Sequence, residues 1–176
     1  VCPHMHIPLQ SGSDVILKTM RRRYTRIEYL NAIAAVKSKF SDFSLSTDII
    51  VGFPGESKKD HLDTVDIVNN VDFSKLHVFP FSVRPGTTAA HLNDQVDSTI
   101  KSIRVNELIS LGDEKSRSYR KQMIGTIRPV LWEERKNLGW EGLTDNYVRV
   151  CLDDERPLYN KITQVLIEEE FNGYLN

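Results

Sequence analysis

The sequence predicts an α/β unit built on parallel strands, followed by a small antiparallel β-barrel. Three observations carry this expectation. Strand-like and helix-period segments alternate from residue 3 to about residue 120, and such alternation implies parallel strands joined by right-handed crossovers. The run Ile49, Ile50, Val51 is continuously apolar, as expected for a strand covered on both faces. From about Lys121 the texture changes to "GTIRPVLWEE", "GWEGLTDNYVRVCL" and "ITQVLIEEEFNGYLN", β-rich segments punctuated by Gly, Asn and Asp, which predict about five antiparallel strands. The boundary therefore falls near residue 120, giving units 1–120 and 121–176.

Taken in order, residues 3–9 form the first expected strand, and Asp14 to Tyr24 a short helix opened by the Ser-Gly-Ser-Asp cap signal. Thr25 and Glu28 make a capping-box pattern ahead of Ile27, Leu30, Ile33, Ala34 and Phe40, whose spacing suits one apolar helix face. "LSTDIIVGF" (45–53) is the second strand, broken by "PGES". Leu62, Val65 and Val68 recur at three-residue steps and predict a helix over 58–70. "KLHVFPF" (75–81) is the third strand, and a helix from Ser98 to about Arg120 follows with Ile100, Ile103, Leu108 and Leu111 inward.

With 176 residues, 40% of them hydrophobic, the chain suits one medium domain or two small ones. Its apolar runs are far shorter than the ~20 residues that span a bilayer, and the N-terminus lacks a signal-peptide pattern. Cys2 and Cys151 have no metal-ligand spacing, so a reducing cytoplasm and no disulfide are expected. Val1 is no initiator methionine, and "VCPHMHIPL" reads as the interior of a domain, so the expectation is a fragment of a longer protein. A net charge of −1 leaves nucleic acid undecided. The cluster Lys18, Arg21, Arg22, Arg23 and Arg26 suits either phosphate or carboxylate contact, or a solvated helix end whose dipole favours cations.

In a parallel sheet all strand C-termini share one edge, which brings together "QSGSD", "GFPGES" and "SVRPGT". Each loop holds glycine, which permits close backbone approach, and side chains able to hydrogen-bond. Gln10 offers an amide, Ser11 and Ser13 hydroxyls beside a helix start, and Gly52 and Gly55 flank Phe53 and Pro54 so that a planar base could lie on main-chain groups. Asp48, inside its strand, is either a ligand contact or half of a structural hydrogen-bonded pair. Ordinary turn and cap chemistry would explain any single loop; three together point to one shared ligand. His4 and His6 share a strand face as metal ligands do, but sequence places no third ligand near them, and they, like His77, are expected as interior histidines with no metal.

These residues resemble a known family. "HMHIPLQSGSD", "KTMRRRYT", "TDIIVGFPGES" and "HVFPFSVRPGTTAA", in that order and followed by a β module, are similar to the methylthiotransferase branch of the radical S-adenosylmethionine (radical-SAM) enzymes. The resemblance implies the C-terminal half of a radical-SAM (β/α) barrel plus an OB-like, RNA-binding TRAM domain. It also implies S-adenosylmethionine as cofactor and two 4Fe-4S clusters in the intact parent, where a cluster-generated 5′-deoxyadenosyl radical abstracts hydrogen from the base and an auxiliary cluster supplies sulfur. The family's Cys-x-x-x-Cys-x-x-Cys triplet does not occur in this sequence, and two distant cysteines cannot build such a cluster, so the chain alone is expected to be inactive.

By the same resemblance, Gln10, Ser11, Gly52 and Phe53 fall at cofactor contacts, Val78, Phe79 and Pro80 pack on the adenine, and Arg23 or a neighbour meets the methionine carboxylate. The wording "HVFPFSVRPGTTAAHLNDQV" is most like the enzymes that modify threonylcarbamoyladenosine beside the tRNA anticodon; isopentenyladenosine in tRNA and a ribosomal protein are the alternative substrates. Residues 121–176 carry seven Lys and Arg against ten Asp and Glu, the wrong balance for phosphate. Contact with tRNA then rests on a local face of Arg128, Arg135 and Lys136, with Trp132 and Trp140 expected in the core rather than as stacking partners. Two rival readings are a stand-alone RNA-binding module and a phosphate enzyme with "QSGSD" as anion cradle. An open parallel edge further predicts a homodimer or domain swap, with Gln10 and Ser11 facing solvent or a neighbouring chain. No membrane partner is expected.

Overall fold

A computed structural model describes residues 2–40, 42–137, 139–171 and 173–175. The first unit is a parallel three-stranded sheet of β1 (His4–His6), β2 (Ser44–Val51) and β3 (Lys75–Pro80), in that spatial order, with α1 (Asp14–Thr19), α2 (Arg26–Lys37), α3 (Lys58–Asn70) and α4 (Ser98–Met123). The expected alternation and parallel pairing are both present. Pairing sets Met5 opposite Leu45 and Asp48 opposite His77.

Register divides the residues of β2 between two faces. Leu45, Ile49 and Val51 pack with Leu9 against Tyr29 and Ile33 of α2, Ile67 and Val68 of α3, and Leu108 of α4. Each such fully buried aliphatic side chain contributes about 1.5–3 kcal/mol. Thr47 sits among them with no exposure, accepting from Leu9 N–H at 2.9 Å and donating to Ile7 O at 2.8 Å. Burial beside it pushes the Tyr29 phenol up to about 12. Ser44, Ser46, Asp48 and Ile50 take the alternate positions, so the strand is less symmetric than its apolar run predicts: Ile50 is only half-buried.

Helix α1 stops at Thr19, short of the expected Tyr24. Arg21 enters the left-handed region (φ 58°), and the N–H groups of Arg21 and Arg22 return to Lys18 O and Leu17 O, a Schellman closure built without glycine. Helix α2 has the expected capping box, yet Ile27 is 61% exposed and Phe40, beyond the helix end, 53% exposed. Similarly, Leu62 of α3 lies outward. In α4 the expected inward residues Ile100 and Ile103 are 46% and 62% exposed; the inward row is Arg104, Leu108 and Gly112. Gly112 rests on Leu76, and Arg104 occupies the first inward position because a buried carboxylate awaits it there.

The second unit contains β4 (Ile127–Lys136), β5 (Gly139–Thr144), β6 (Arg149–Leu152), β7 (Ile162–Leu166), β8 (Glu170–Phe171) and β9 (Tyr174–Leu175) in the order β7-β4-β5-β6-β9-β8. It is antiparallel except for the β6–β9 pair, so the described residues give six strands where about five were expected. Trp132 and Trp140 are core, with Val130, Val150, Leu158, Ile167 and Leu175. Helix α4 crosses the expected boundary, since Met123 packs into this second core. Contacts between the units include Ser44 Oγ to Asn146 O (2.7 Å), stacked His4 and Tyr147 rings 4.5 Å apart, and an Arg128–Asp42 ion pair.

Gly12 marks the closest approach of a loop to a helix: a Cβ there would lie 2.5 Å from both Asp63 O and Thr64 Cα. Gly12→Ala is therefore expected to lose about 1–3 kcal/mol of stability through overpacking, measured by urea unfolding; an unchanged midpoint would show that α3 yields at no cost.

Candidate functional site

The first loop is closed by its own backbone. Gln10 sits at φ 64°, a conformation costly for a non-glycine residue, and is held there by a bridge to β2: its N–H donates to Asp48 O at 2.8 Å and its O accepts from Ile50 N–H at 2.9 Å. Arg22 Nη2 donates to Gln10 Oε1 at 2.8 Å, so the Schellman turn after α1 delivers a guanidinium to this loop. Arg22 and Arg23 are both exposed, and the basic run reaches the edge through Arg22.

Gln10 and Ser11 are 7% and 2% exposed, contrary to the expectation that they face solvent or a neighbour. The cause is α3. Gly12 N–H donates to Thr64 Oγ1 (2.9 Å), Ser13 N–H to Ser11 Oγ (3.2 Å), and Ser13 Oγ to Asp60 Oδ1 (2.5 Å). The Ser13 hydroxyl therefore does not cap α1. With the N–H groups of Ser11, Gly12 and Ser13 all satisfied internally, the anion-cradle reading fails.

Asp60 also accepts from Ser57 N–H (2.9 Å) and Ser57 Oγ (2.5 Å) as the α3 capping box, joining the first loop to the second. Burial alone would raise its pKa, but the serine hydroxyls and the N–H outweigh burial and hold it below the usual carboxylate value. The second loop closes on Glu56, which sequence reasoning missed: Gly52 N–H donates to Oε2 (2.8 Å) and Arg104 Nη1 to Oε1 (2.5 Å), with both side chains at least nine-tenths buried. Gly52 (φ 73°) is needed here, since a Cβ would meet the Lys101 side chain at 2.8 Å. Phe53 is buried, its ring packed edge-on to Phe81 at 5.0 Å.

Between the loops lies an open cleft of ≈ 510 Å³, lined among others by Gln10, Asp48, Ile50, Phe79, Pro80 and Arg84. Phe79 is half-exposed in its wall, whereas Val78 packs against the helix-side core. The face of the sheet below carries His4, His6, Asp48 and His77. His6 Nε2 lies 3.3 Å from Asp48 Oδ2, the neighbour that sequence reasoning left open for this carboxylate. The three strands also bring His77 beside that pair, which sequence spacing did not foresee: in parallel pairing its position is set by register rather than by distance along the chain. Burial, then the nearby Lys75, lowers the His77 pKa, with Asp48 opposing; burial and His6 lower that of His4.

A strand, a Ser-rich loop closed on a helix, and a GFPGE turn sealed by an arginine occupy one edge in this chain, and residues 1–68 match the family model described as the Radical SAM superfamily. That stretch is the part of the chain similar to the radical SAM superfamily. Similarity to curated proteins extends past this radical SAM segment. The chain is 38% identical over 170 residues to the threonylcarbamoyladenosine tRNA methylthiotransferase MtaB of Bacillus subtilis, covering 93% of this chain and 38% of that protein. It is 40% identical over 172 residues to the tRNA-2-methylthio-N(6)-dimethylallyladenosine synthase of Desulfitobacterium hafniense, covering 96% and 38%. The synthase of the same name from Thermoanaerobacter sp. (strain X514) is 45% identical over 133 residues, 76% of this chain and 28% of that one. The chain thus spans about two fifths of the length of the first two of these relatives.

The radical SAM segment offers a cluster little: Cys2 is exposed ahead of β1, and Cys151 lies on β6 of the other unit, with no disulfide between them. Two thiols in separate units do not fit the three-cysteine set of the Cys-x-x-x-Cys-x-x-Cys triplet. The expected RNA face is largely neutralised. Arg128 is buried between Asp42 and Asp145, and Lys136 is bracketed by Glu134 and Glu141 at 2.9 Å each; Arg135 is exposed. Among the described residues no helix is long and apolar enough to cross a membrane.

Two measurements check this construction. Arg104→Ala, which strands Glu56, is expected to lose about 3–5 kcal/mol in chemical denaturation. Asp60, with its folded pKa below the unfolded value, stabilises fully above about pH 4 and loses that contribution as pH falls through the folded value. Asp60→Asn should therefore cost about 1–3 kcal/mol at neutral pH and flatten the acid limb of a stability–pH curve; an identical limb would remove Asp60 as the link between the loops.

Proposed function

We propose that this chain forms the S-adenosylmethionine-facing edge and the RNA-facing module of a tRNA methylthiotransferase acting on an N6-modified adenosine near the anticodon. The observation that carries this reading is the cleft whose floor and walls are Gln10, Asp48, Ile50, Phe79 and Pro80, at the C-terminal edge of a parallel sheet whose first two strands lie in the radical SAM segment. Phe79 presents a half-exposed ring on which a purine stacks, and Gln10, its oxygen held by Arg22, keeps amide N–H groups for a polar edge. Asp48 supplies negative charge suited to a sulfonium or an ammonium. Arg22 is the basic-run residue best placed for a carboxylate. When bound, S-adenosylmethionine supplies the group and the radical precursor; what these residues do is bind and orient it. Val78 supports the strand from the core side.

Threonylcarbamoyladenosine is the finer substrate assignment, supported by the "HVFPFSVRPGTTAA" segment and by the similarity to the Bacillus protein. The module of β4–β9 approaches tRNA through Arg135 and neighbouring cations, and Arg128 and Lys136 act only where RNA displaces their carboxylates. The chain alone, with no cluster-competent thiolate set, turns over no substrate. The edge of β1 remains the place where a second copy would add a strand.

Equilibrium dialysis of the chain against labelled S-adenosylmethionine tests the cleft. Binding is expected, with Phe79→Ala weakening it at least about fivefold, the low end of aromatic stacking on a base. Saturable binding unaffected by Phe79→Ala and Asp48→Asn would overturn the placement, and no binding at all would overturn the reading of the edge.

A further inference from the structure

His6 of β1, Asp48 of β2 and His77 of β3 converge on the open face of the sheet, each presenting a ligand atom within 4.8 Å of the others. They come from three adjacent hydrogen-bonded strands. Asp48 is directly opposite His77 in the pairing, and His6, opposite Ser46, stands two residues back along the sheet.

The local geometry suits a metal ion. The Nδ1 of His6 lies 2.9 Å from Ser46 Oγ, which orients the ring and turns Nε2 toward Asp48. Ligating imidazoles are held in this way, one nitrogen on a polar neighbour and the other on the ion. Two ligands at roughly 2.1 Å from a tetrahedral cation stand about 3.4 Å apart, and His6 Nε2 to Asp48 Oδ2 is 3.3 Å. The His77 ring, packed edge-on to His6 with centroids 5.9 Å apart, brings the third ligand atom within 4.8 Å of the other two. Asp48 lines the cleft at the loop edge, and His77 a second cleft of ≈ 560 Å³ between the units, so the triad lies between two openings.

We propose that His6, Asp48 and His77 bind one divalent transition-metal ion of the zinc class, with at least one coordination position left open. Two imidazoles and one carboxylate are the donor set that suits such ions, and three protein ligands leave room for water or a polar ligand atom. This inference stands without the function proposed above, and an ion on Asp48 would take up the charge that the carboxylate otherwise offers a sulfonium. An ordinary His6–Asp48 ion pair is the competing account, and it makes no use of His77.

Purified chain, stripped with chelator, is titrated with zinc alone by calorimetry, and with cobalt followed by its visible ligand-field absorption. One equivalent is expected to bind, and zinc is expected to raise the melting temperature of the chain. His77→Ala and Asp48→Asn should each weaken binding at least 100-fold and abolish that rise. Cys2→Ser, Cys151→Ser and His91→Ala, outside the triad, should bind as the parent does. Apo melting curves of every variant establish that it folds; should an alanine variant fail to, His77→Gln takes its place. Zinc affinity unchanged in the His77 variant, loss of binding in Cys2→Ser, or no binding to the parent chain each overturns the proposal.

Discussion

The buried pair of Glu56 and Arg104 is the constraint on which the rest of the molecule depends. Withdrawing two charges from water is costly, and the pair is tolerable only because the remaining carboxylate oxygen takes the Gly52 N–H and the guanidinium also reaches Glu56 O. That closed set of hydrogen bonds fixes the second loop to the first inward turn of α4. It also explains why an arginine, rather than an isoleucine, faces the sheet there. Helix α4 then runs along β3 and ends in the core of the second unit. One ion pair therefore sets both the shape of the loop edge and the direction in which the β module hangs.

Asp60 plays the matching part between the first two loops. Its two oxygens are shared by Ser13 and Ser57, so "QSGSD" and "PGES" are fastened to one carboxylate at the start of α3. The cluster of small polar residues after β1 is thus mostly internal joinery, and the groups it leaves for a ligand are the Gln10 amide and the cation that holds it. Side chains on the opposite face of the sheet answer to a different rule. There the alternation of β2 places Ser46 and Asp48 beside His6 and His77, giving a polar stripe on a face left open toward the clefts.

Much of this was legible in the sequence. Strand and helix order, the capping box at Thr25, the change of texture near residue 121 and the three loops on one edge all follow from local pattern, because each is decided by residues close in sequence. The residues misplaced by pattern share another cause. Ile100 and Ile103 fit a helical stripe, but the partner that decides which side of α4 is inward, Glu56, lies more than forty residues away. Arg128 and Lys136 look like phosphate contacts until Asp42, Glu134 and Glu141 are seen against them. His77 could join His6 and Asp48 only through strand register, and Arg22 rather than Arg23 reaches the first loop because a positive φ at Arg21 redirects the chain.

Helix α4 has 26 residues, which at ~1.5 Å each makes a rod of about 39 Å. One end is clamped by Arg104 and the other is embedded at Met123, so the two units are coupled in rotation as well as in separation. Adding one residue to such a rod lengthens it by only ~1.5 Å but turns its far end by about 100°. The module would be swung off Ser44 and His4, where Asn146 and Tyr147 now dock, long before it was pushed away. Length changes in this helix therefore act as changes of phase, whereas substitutions between Leu108 and Met123 leave the docking angle of the module as it is.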